Sequence, residues 1–193
     1  FDIYFSGYEE LRYGENPHQR SMLYNVGEKG FQDIFEKLHG KELSYINIID
    51  IDAAYGLINE FTEPACAILK HTNPCGVAIG SDIKDAYIKA FATDTVSPFG
   101  GIVIVNRKLD LACAEEIDKV FTEIVIAPEY DEDALNFLFK KKNRRIIKIN
   151  KPELVNAMEL KSVTGGLLVQ DVNDIVVIEE QMKVVTERKP SED

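Results

Sequence analysis

Apolar residues recur with two periods along this chain, and the change from one to the other marks out its elements. Phe31, Ile34, Phe35 and Leu38 fall at i, i+3, i+4 and i+7, which predicts an amphipathic helix closed by Gly40. His39 then sits at that helix's end, where a cation suits the dipole. Ile51, Ala54, Tyr55, Ile58 and Phe61 give the inner face of a helix over 48–61, with Asn47 placed to cap it. An unbroken apolar run from Pro64 to Leu69 predicts a buried strand, and Val77 to Ile79 a short second one. Ser81, followed by Asp82 and Asp85, reads as the N-cap of a helix that buries Ile83, Ala86, Tyr87, Ala90 and Phe91. Strands follow at 102–105, 124–127 and 145–149, separated by helices over 109–121 and 131–140. Further strands are expected at 165–169 and 175–178, and the tail from Glu179 is charged. Strand–helix alternation from 65 to 149 predicts a three-layer α/β domain, a mixed or largely parallel sheet between helices.

Composition narrows the partners. Of 193 residues, 45% are hydrophobic, enough for a real core, and the formal charge is -11. Nucleic acid is a poor partner for such a chain, because binding it needs clustered cations that displace counterions. A small anionic substrate stays open, since local charge can oppose net charge. Cys66, Cys75 and Cys113 form no CxxC pair and suggest a reducing, cytoplasmic setting. No apolar run approaches the roughly 20 residues of a membrane helix, and no signal peptide opens the chain. A start at Phe1 and an end on Lys189-Pro-Ser-Glu-Asp193 suggest cuts within something longer.

Candidate chemistry gathers at Lys70-His-Thr-Asn-Pro-Cys-Gly76, between the two apolar runs. Neighbouring strand residues face opposite ways, so a shared role for Lys70 and His71 requires the strand to end near Lys70. The Asn-Pro-Gly turn would then re-aim His71, at the carboxyl end of a strand, where open α/β sheets usually bind ligands. A zinc deaminase needs H-x-E and P-C-x-x-C elements, and neither is complete here. A cysteine nucleophile paired with His71 would be Cys66 or Cys75, both among apolar residues. Neither G-x-S-x-G nor a phosphate-binding G-x-x-x-x-G-K-[ST] loop occurs. General acid–base work by His71 beside a cationic Lys70 remains, with plain core packing as the alternative. Arg12 offers a forked cation and Tyr13 a flat ring, in a turn-rich segment that an ordinary solvated loop would equally explain. The paired glycines Gly100 and Gly101 let a backbone approach a ligand, or simply make a turn. Glu123 stands at the entry of a buried strand, and Lys140-Lys-Lys-Asn-Arg-Arg145 is either a solvated helix end or a phosphate contact.

Two of these blocks, Lys70-His-Thr-Asn-Pro-Cys-Gly76 and Leu11-Arg-Tyr-Gly-Glu-Asn-Pro-His-Gln19, closely resemble the AICAR transformylase part of the bifunctional purine-synthesis enzymes. (AICAR is aminoimidazole carboxamide ribonucleotide.) Ser97–Gly101, Glu123–Pro128, Gly165–Asp171 and Val184–Pro190 resemble later blocks of that family, in the same order. The resemblance implies formyl transfer from 10-formyltetrahydrofolate to the 5-amino group of AICAR, with the parent protein also an IMP cyclohydrolase. It implies His71 as proton acceptor and Lys70 as transition-state stabiliser. Arg12, Tyr13, Asn47, Gly100, Glu123 and Lys142 would bind the nucleotide, and no metal is expected.

The implied fold is cytidine-deaminase-like without zinc, of which this chain would be the first of two units in an intertwined homodimer. Residues 1–30 would be a substrate-binding loop segment, 31–178 the α/β core, and 179–193 an extended tail toward the second unit. That second unit would carry much of the folate site. A deaminase-like hydrolase and an inert structural module are the competing expectations.

Overall fold

The structure, a computed structural model, describes residues 5–26, 30–150, 158–173, 182–189 and 191. The chain divides into two compact units, Phe1–Pro152 and Glu153–Asp193. In the first, β1 (Phe5–Leu11) and β2 (Ser21–Val26) form an antiparallel hairpin, and α1 (Phe31–Ile34) runs directly into β3 (Phe35–His39). There follow α2 (Tyr45–Ile58), β4 (Ala65–Lys70), β5 (Asn73–Ile79), α3 (Ile83–Thr93) and β6 (Gly101–Val105). The unit continues through α4 (Leu111–Asp118), β7 (Thr122–Ala127), α5 (Glu132–Leu138) and β8 (Arg145–Ile149).

Six strands form one mixed sheet in the order β3-β8-β7-β6-β4-β5. The β6–β7 and β7–β8 pairs are parallel, and the other three are antiparallel. Period-two alternation sends each strand's residues into two cores at once. Cys66, Ile68, Val103, Val105, Val125 and Ala127 pack toward α3, α4 and α5. Ala67, Leu69, Ile102, Ile104, Ile124 and Ile126 pack toward Ile51, Ala54 and Ile58 of α2. Burial on both faces is why these strands read as continuous apolar runs, and the three expected layers are present. Among the described residues, no helix is long and apolar enough to cross a membrane.

The predicted helix over 31–38 is overturned. It makes one turn, then Phe35 to His39 pair antiparallel with β8. Helical spacing lost to the open edge of β8, whose backbone groups need partners. Phe35 still buries its ring, between Phe31 (centroids 4.7 Å apart) and Tyr55 (5.1 Å). Gly40 ends a strand rather than a helix. Its φ is +95°, and a side chain there would collide with the Arg144 backbone. His39 stacks on Phe139, centroids 4.7 Å apart, and so serves packing rather than a helix dipole.

Two caps also differ by a few residues from the sequence reading. Asp82, not Ser81, caps α3, its side chain accepting from the Asp85 amide at 2.8 Å. Ser44 caps α2, and Asn47 occupies the third helical position as its reciprocal partner. Residues 1–30 are not a loop segment alone: the described part is the β1–β2 hairpin with a loop over 12–20.

In the second unit, β9 (Met158–Val163) and β10 (Gly166–Asp171) make an antiparallel hairpin through Gly165 at φ +77°. β10 takes the place of the strand expected at 165–169, while β9 carried no clear sequence signal. The strand expected at 175–178 lies outside the described residues. The described tail residues, 182–189 and 191, are exposed and form neither helix nor strand.

Candidate active site

The tip of the β4–β5 hairpin decides where the chemistry sits. Lys70 pairs with Asn73, so His71 and Thr72 alone form the turn. Both have positive φ, 52° and 63°, as a two-residue hairpin turn of the right twist requires. Each non-glycine residue in that region costs about 1–2 kcal/mol. A hydrogen bond from outside the hairpin opposes this: the Thr72 amide donates to Asp50 Oδ1 at 2.7 Å. A bond to a charged acceptor contributes about 1.5–3 kcal/mol, comparable to the cost of the turn. Within the tip, Thr72 Oγ1 and Asn73 Nδ2 both donate to the His71 carbonyl, at 2.6 and 2.7 Å.

Strand alternation is therefore broken at the needed place. Lys70 and His71 line the same cleft, of about 250 Å³, with Tyr13, Asn47, Asp50, Gly100 and Glu123. The turn is His71-Thr72 rather than the expected Asn-Pro-Gly. Asn73, Pro74 and Cys75 already belong to β5, an edge strand that tolerates proline, and the register shifts beside them. The cleft lies at the carboxyl end of β4 but at the amino ends of β6, β7 and β8. It follows the expected rule for one strand only, because β4 runs against β6.

The remaining walls are fixed from behind. Glu123 Oε1 accepts from Arg145 Nη1 at 2.7 Å and from Asn47 Nδ2 at 3.3 Å. Arg145 also donates to the Glu42 carbonyl through Nε (3.1 Å) and Nη2 (2.8 Å), tying β8, β7 and the segment before α2 together. Asn47 is itself locked by its exchange with Ser44. Lys70 Nζ donates to the Phe99 carbonyl at 2.9 Å, which draws the Gly100 loop to the cleft. Gly100, at φ +76°, donates to the Phe121 carbonyl at 2.7 Å. Tyr13 is held through its carbonyl, which accepts from the Tyr45 amide at 3.4 Å.

Six of the eight residues singled out from sequence thus share one cleft: Lys70, His71, Tyr13, Asn47, Gly100 and Glu123. Arg12 is exposed and lies beside it, its guanidinium carbon 5.3 Å from the Tyr13 ring centre. Lys142 is exposed and lines a different depression with Asp118 and Phe121. The basic cluster is not one patch. Arg144 is buried, donating to the Thr122 carbonyl at 3.2 Å and pairing with Asp118 at 2.7 Å, and Arg145 is buried against Glu123. Only the lysines and Asn143 of that run are exposed.

Asp50, Ser44 and Arg145 are the site residues that sequence reasoning missed. Asp50 could have been found: it interrupts the buried stripe of α2 one turn after Asn47, and it is only 7% exposed. Its carboxyl is raised above the ordinary range, chiefly by burial with Glu123 adding, and the bond from the Thr72 amide opposes this only in part. Burial also pushes the Cys66 thiol well above its ordinary range and raises Cys75, so neither is a ready thiolate for the cysteine-nucleophile alternative.

Arg145→Ala is expected to destabilise the protein by about 2–4 kcal/mol, since it strips a partly buried Glu123 of its cation and frees the Glu42 carbonyl. Denaturant unfolding measures this directly. A change below about 0.5 kcal/mol, typical of surface positions, would show that the pair is not structural.

Against this geometry stand the comparisons with known proteins. The sequence model of the family described as "AICARFT/IMPCHase bienzyme" matches residues 1–193, the whole chain. The chain belongs to that bienzyme family. Its relatives include proteins named "Bifunctional purine biosynthesis protein PurH" from Chlorobium chlorochromatii (50% identical over 189 residues) and Clostridium kluyveri (52% over 188 residues). A third, of the same name, from Petrotoga mobilis, is 51% identical over 186 residues. These matches cover 95%, 96% and 95% of the chain but only 36%, 37% and 36% of the relatives. The chain spans a little over one third of the length of those relatives.

Proposed function

We propose that this chain is the first half of an AICAR transformylase, supplying the acid–base centre that moves a formyl group from 10-formyltetrahydrofolate to the 5-amino group of AICAR. The observation that carries the reading is the hairpin tip, which puts a histidine and a lysine on one cleft wall despite their adjacency in sequence.

The AICAR amine is a poor nucleophile, because its lone pair is delocalised into the carboxamide-bearing ring. As the amine nitrogen attacks the formyl carbon, a C–N bond forms and negative charge builds on the formyl oxygen. His71 takes the proton that the amine loses, an effect worth about 10²–10⁴-fold. Collapse of the tetrahedral adduct breaks the bond to the folate N10, which leaves as tetrahydrofolate with the proton that His71 gives up, so the histidine ends as it began. Lys70 stabilises the developing negative charge, its ammonium steadied by the Phe99 carbonyl. Tyr13, Asn47, Gly100 and Glu123 line the nucleotide's side of the cleft, with Arg12 at its margin. On this reading the parent assembles as a cytoplasmic homodimer and also carries the IMP cyclohydrolase activity in another segment.

The full-length protein is expected to convert AICAR and 10-formyltetrahydrofolate to formyl-AICAR and tetrahydrofolate, followed by the absorbance of the folate product. Turnover of AICAR by water alone, without folate, would replace formyl transfer with a deaminase-like hydrolysis.

A further inference from the structure

We infer that Asp50 is a positioning residue of the acid–base centre: through the Thr72 amide it holds the His71–Thr72 turn in its left-handed form and so aims the imidazole. This rests on the formyl-transfer reading, and concerns how the base is held rather than what it does.

Three observations converge on Asp50. First, among the described residues, no hydrogen bond reaches the exposed His71 ring, so the backbone that carries it sets its Cα–Cβ bond and hence the region the ring can reach. Second, that backbone is left-handed at two consecutive residues that are not glycine, φ 52° and 63°. The bonds from Thr72 Oγ1 and Asn73 Nδ2 to the His71 carbonyl lie within the tip and move with it. Of the two turn residues, His71 and Thr72, only Thr72 bonds another element among the described residues, through the 2.7 Å bond of its amide to Asp50. Third, Asp50 lies three residues after Asn47 on α2, on the same helical face. Asn47 bonds Glu123, so one rigid helix sets both the nucleotide wall and the base. The titratable groups facing the Asp50 carboxylate are His71 and Glu123. A carboxylate kept 7% exposed beside Glu123 is unfavourable for stability alone, and its bond to the turn is what it gains there.

The test uses the full-length enzyme with Asp50→Ala, Asp50→Ser, Asp50→Asn and, as reference, His71→Ala. Asp50→Ala is expected to lower kcat about 10²-fold, the scale of a misplaced catalytic group. KM for AICAR should stay within about threefold, because the nucleotide wall is not removed. Asp50→Asn should keep kcat within about fivefold of the parent, since its amide oxygen accepts the same bond. Asp50→Ser, smaller and still polar, gives the same reading as Ala if Ala does not fold. Rescue by Asn is a result that loss of packing would not give. The inference is overturned if both truncations keep kcat within about threefold, or if Asn is as slow as Ala, which would make charge and not the bond the cause. His71→Ala separates the two readings. If it is inactive while Asp50→Ala and Asp50→Ser are active, only the positioning role fails; if it is active, the acid–base centre fails and the Asp50 role falls with it.

Discussion

His71→Ala in the full-length enzyme is expected to abolish formyl transfer while leaving AICAR binding much less affected. A general base acts on the barrier, not on the ground state, so its loss appears in kcat. His71 sits at the outer tip of a hairpin, exposed and apart from both hydrophobic cores, so its removal opens no cavity. The β4–β5 pairing that carries it is made by backbone groups and is unaffected by the ring. A collapse in activity could not then be blamed on unfolding, which a melting curve would check. Single-turnover formyl transfer and nucleotide titration separate the two effects. If the variant kept more than about a tenth of the parent kcat, the ring would be worth under about 1.4 kcal/mol, too little for the base.

The second large effect concerns the 193 residues by themselves, which are expected to fold and to show no measurable transformylase activity. Folding is expected because the six-stranded sheet carries helices on both faces, each with a continuous buried cluster. Inactivity is expected because two substrates must be held in attack geometry, an arrangement that supplies about 7–11 kcal/mol. On the proposed reading the cleft would supply the base, the cation and one nucleotide wall, with most folate contacts expected from a further unit. The relatives are nearly three times as long as the region matched here, which leaves room for one. The β9–β10 hairpin also exposes Leu160, Leu167, Leu168 and Val169, so the isolated chain should tend to associate. The check is a formyl-transfer assay on the purified chain, alone and with the rest of the protein added in trans. Folate-dependent turnover by the chain alone would show that the second substrate's site lies within these residues.

How far the sequence could be read varied from element to element, for physical reasons. Strands β6, β7 and β8 and helices α3 to α5 were legible because each is buried by its own pattern, apolar runs or a helical stripe. Any fold that buries those patterns must make those elements. The stretch 31–39 was misread because its spacing suits a helix, while the free edge of β8 takes up its backbone bonds. Propensity is local and an edge partner is not. β1, β2 and β9 were missed because exposed, mixed-polarity hairpins leave little period-two signal.

The same division runs through the site. The sequence alone determined that Lys70 and His71 terminate a buried strand, that turn chemistry follows them, and which family motif they share. It also singled out Tyr13, Asn47, Gly100 and Glu123, which come from separate elements. Only the tertiary structure decided that these converge, because sheet order, not chain order, brings β4, β6 and β7 side by side in the sheet interior. Only it decided that Arg145 is a buried brace rather than part of a basic patch, since its partner Glu123 is 22 residues away. And only it placed Asp50 beneath the turn: an acid on the buried stripe of α2 is unusual in sequence, but nothing local names Thr72, 22 residues away, as its partner.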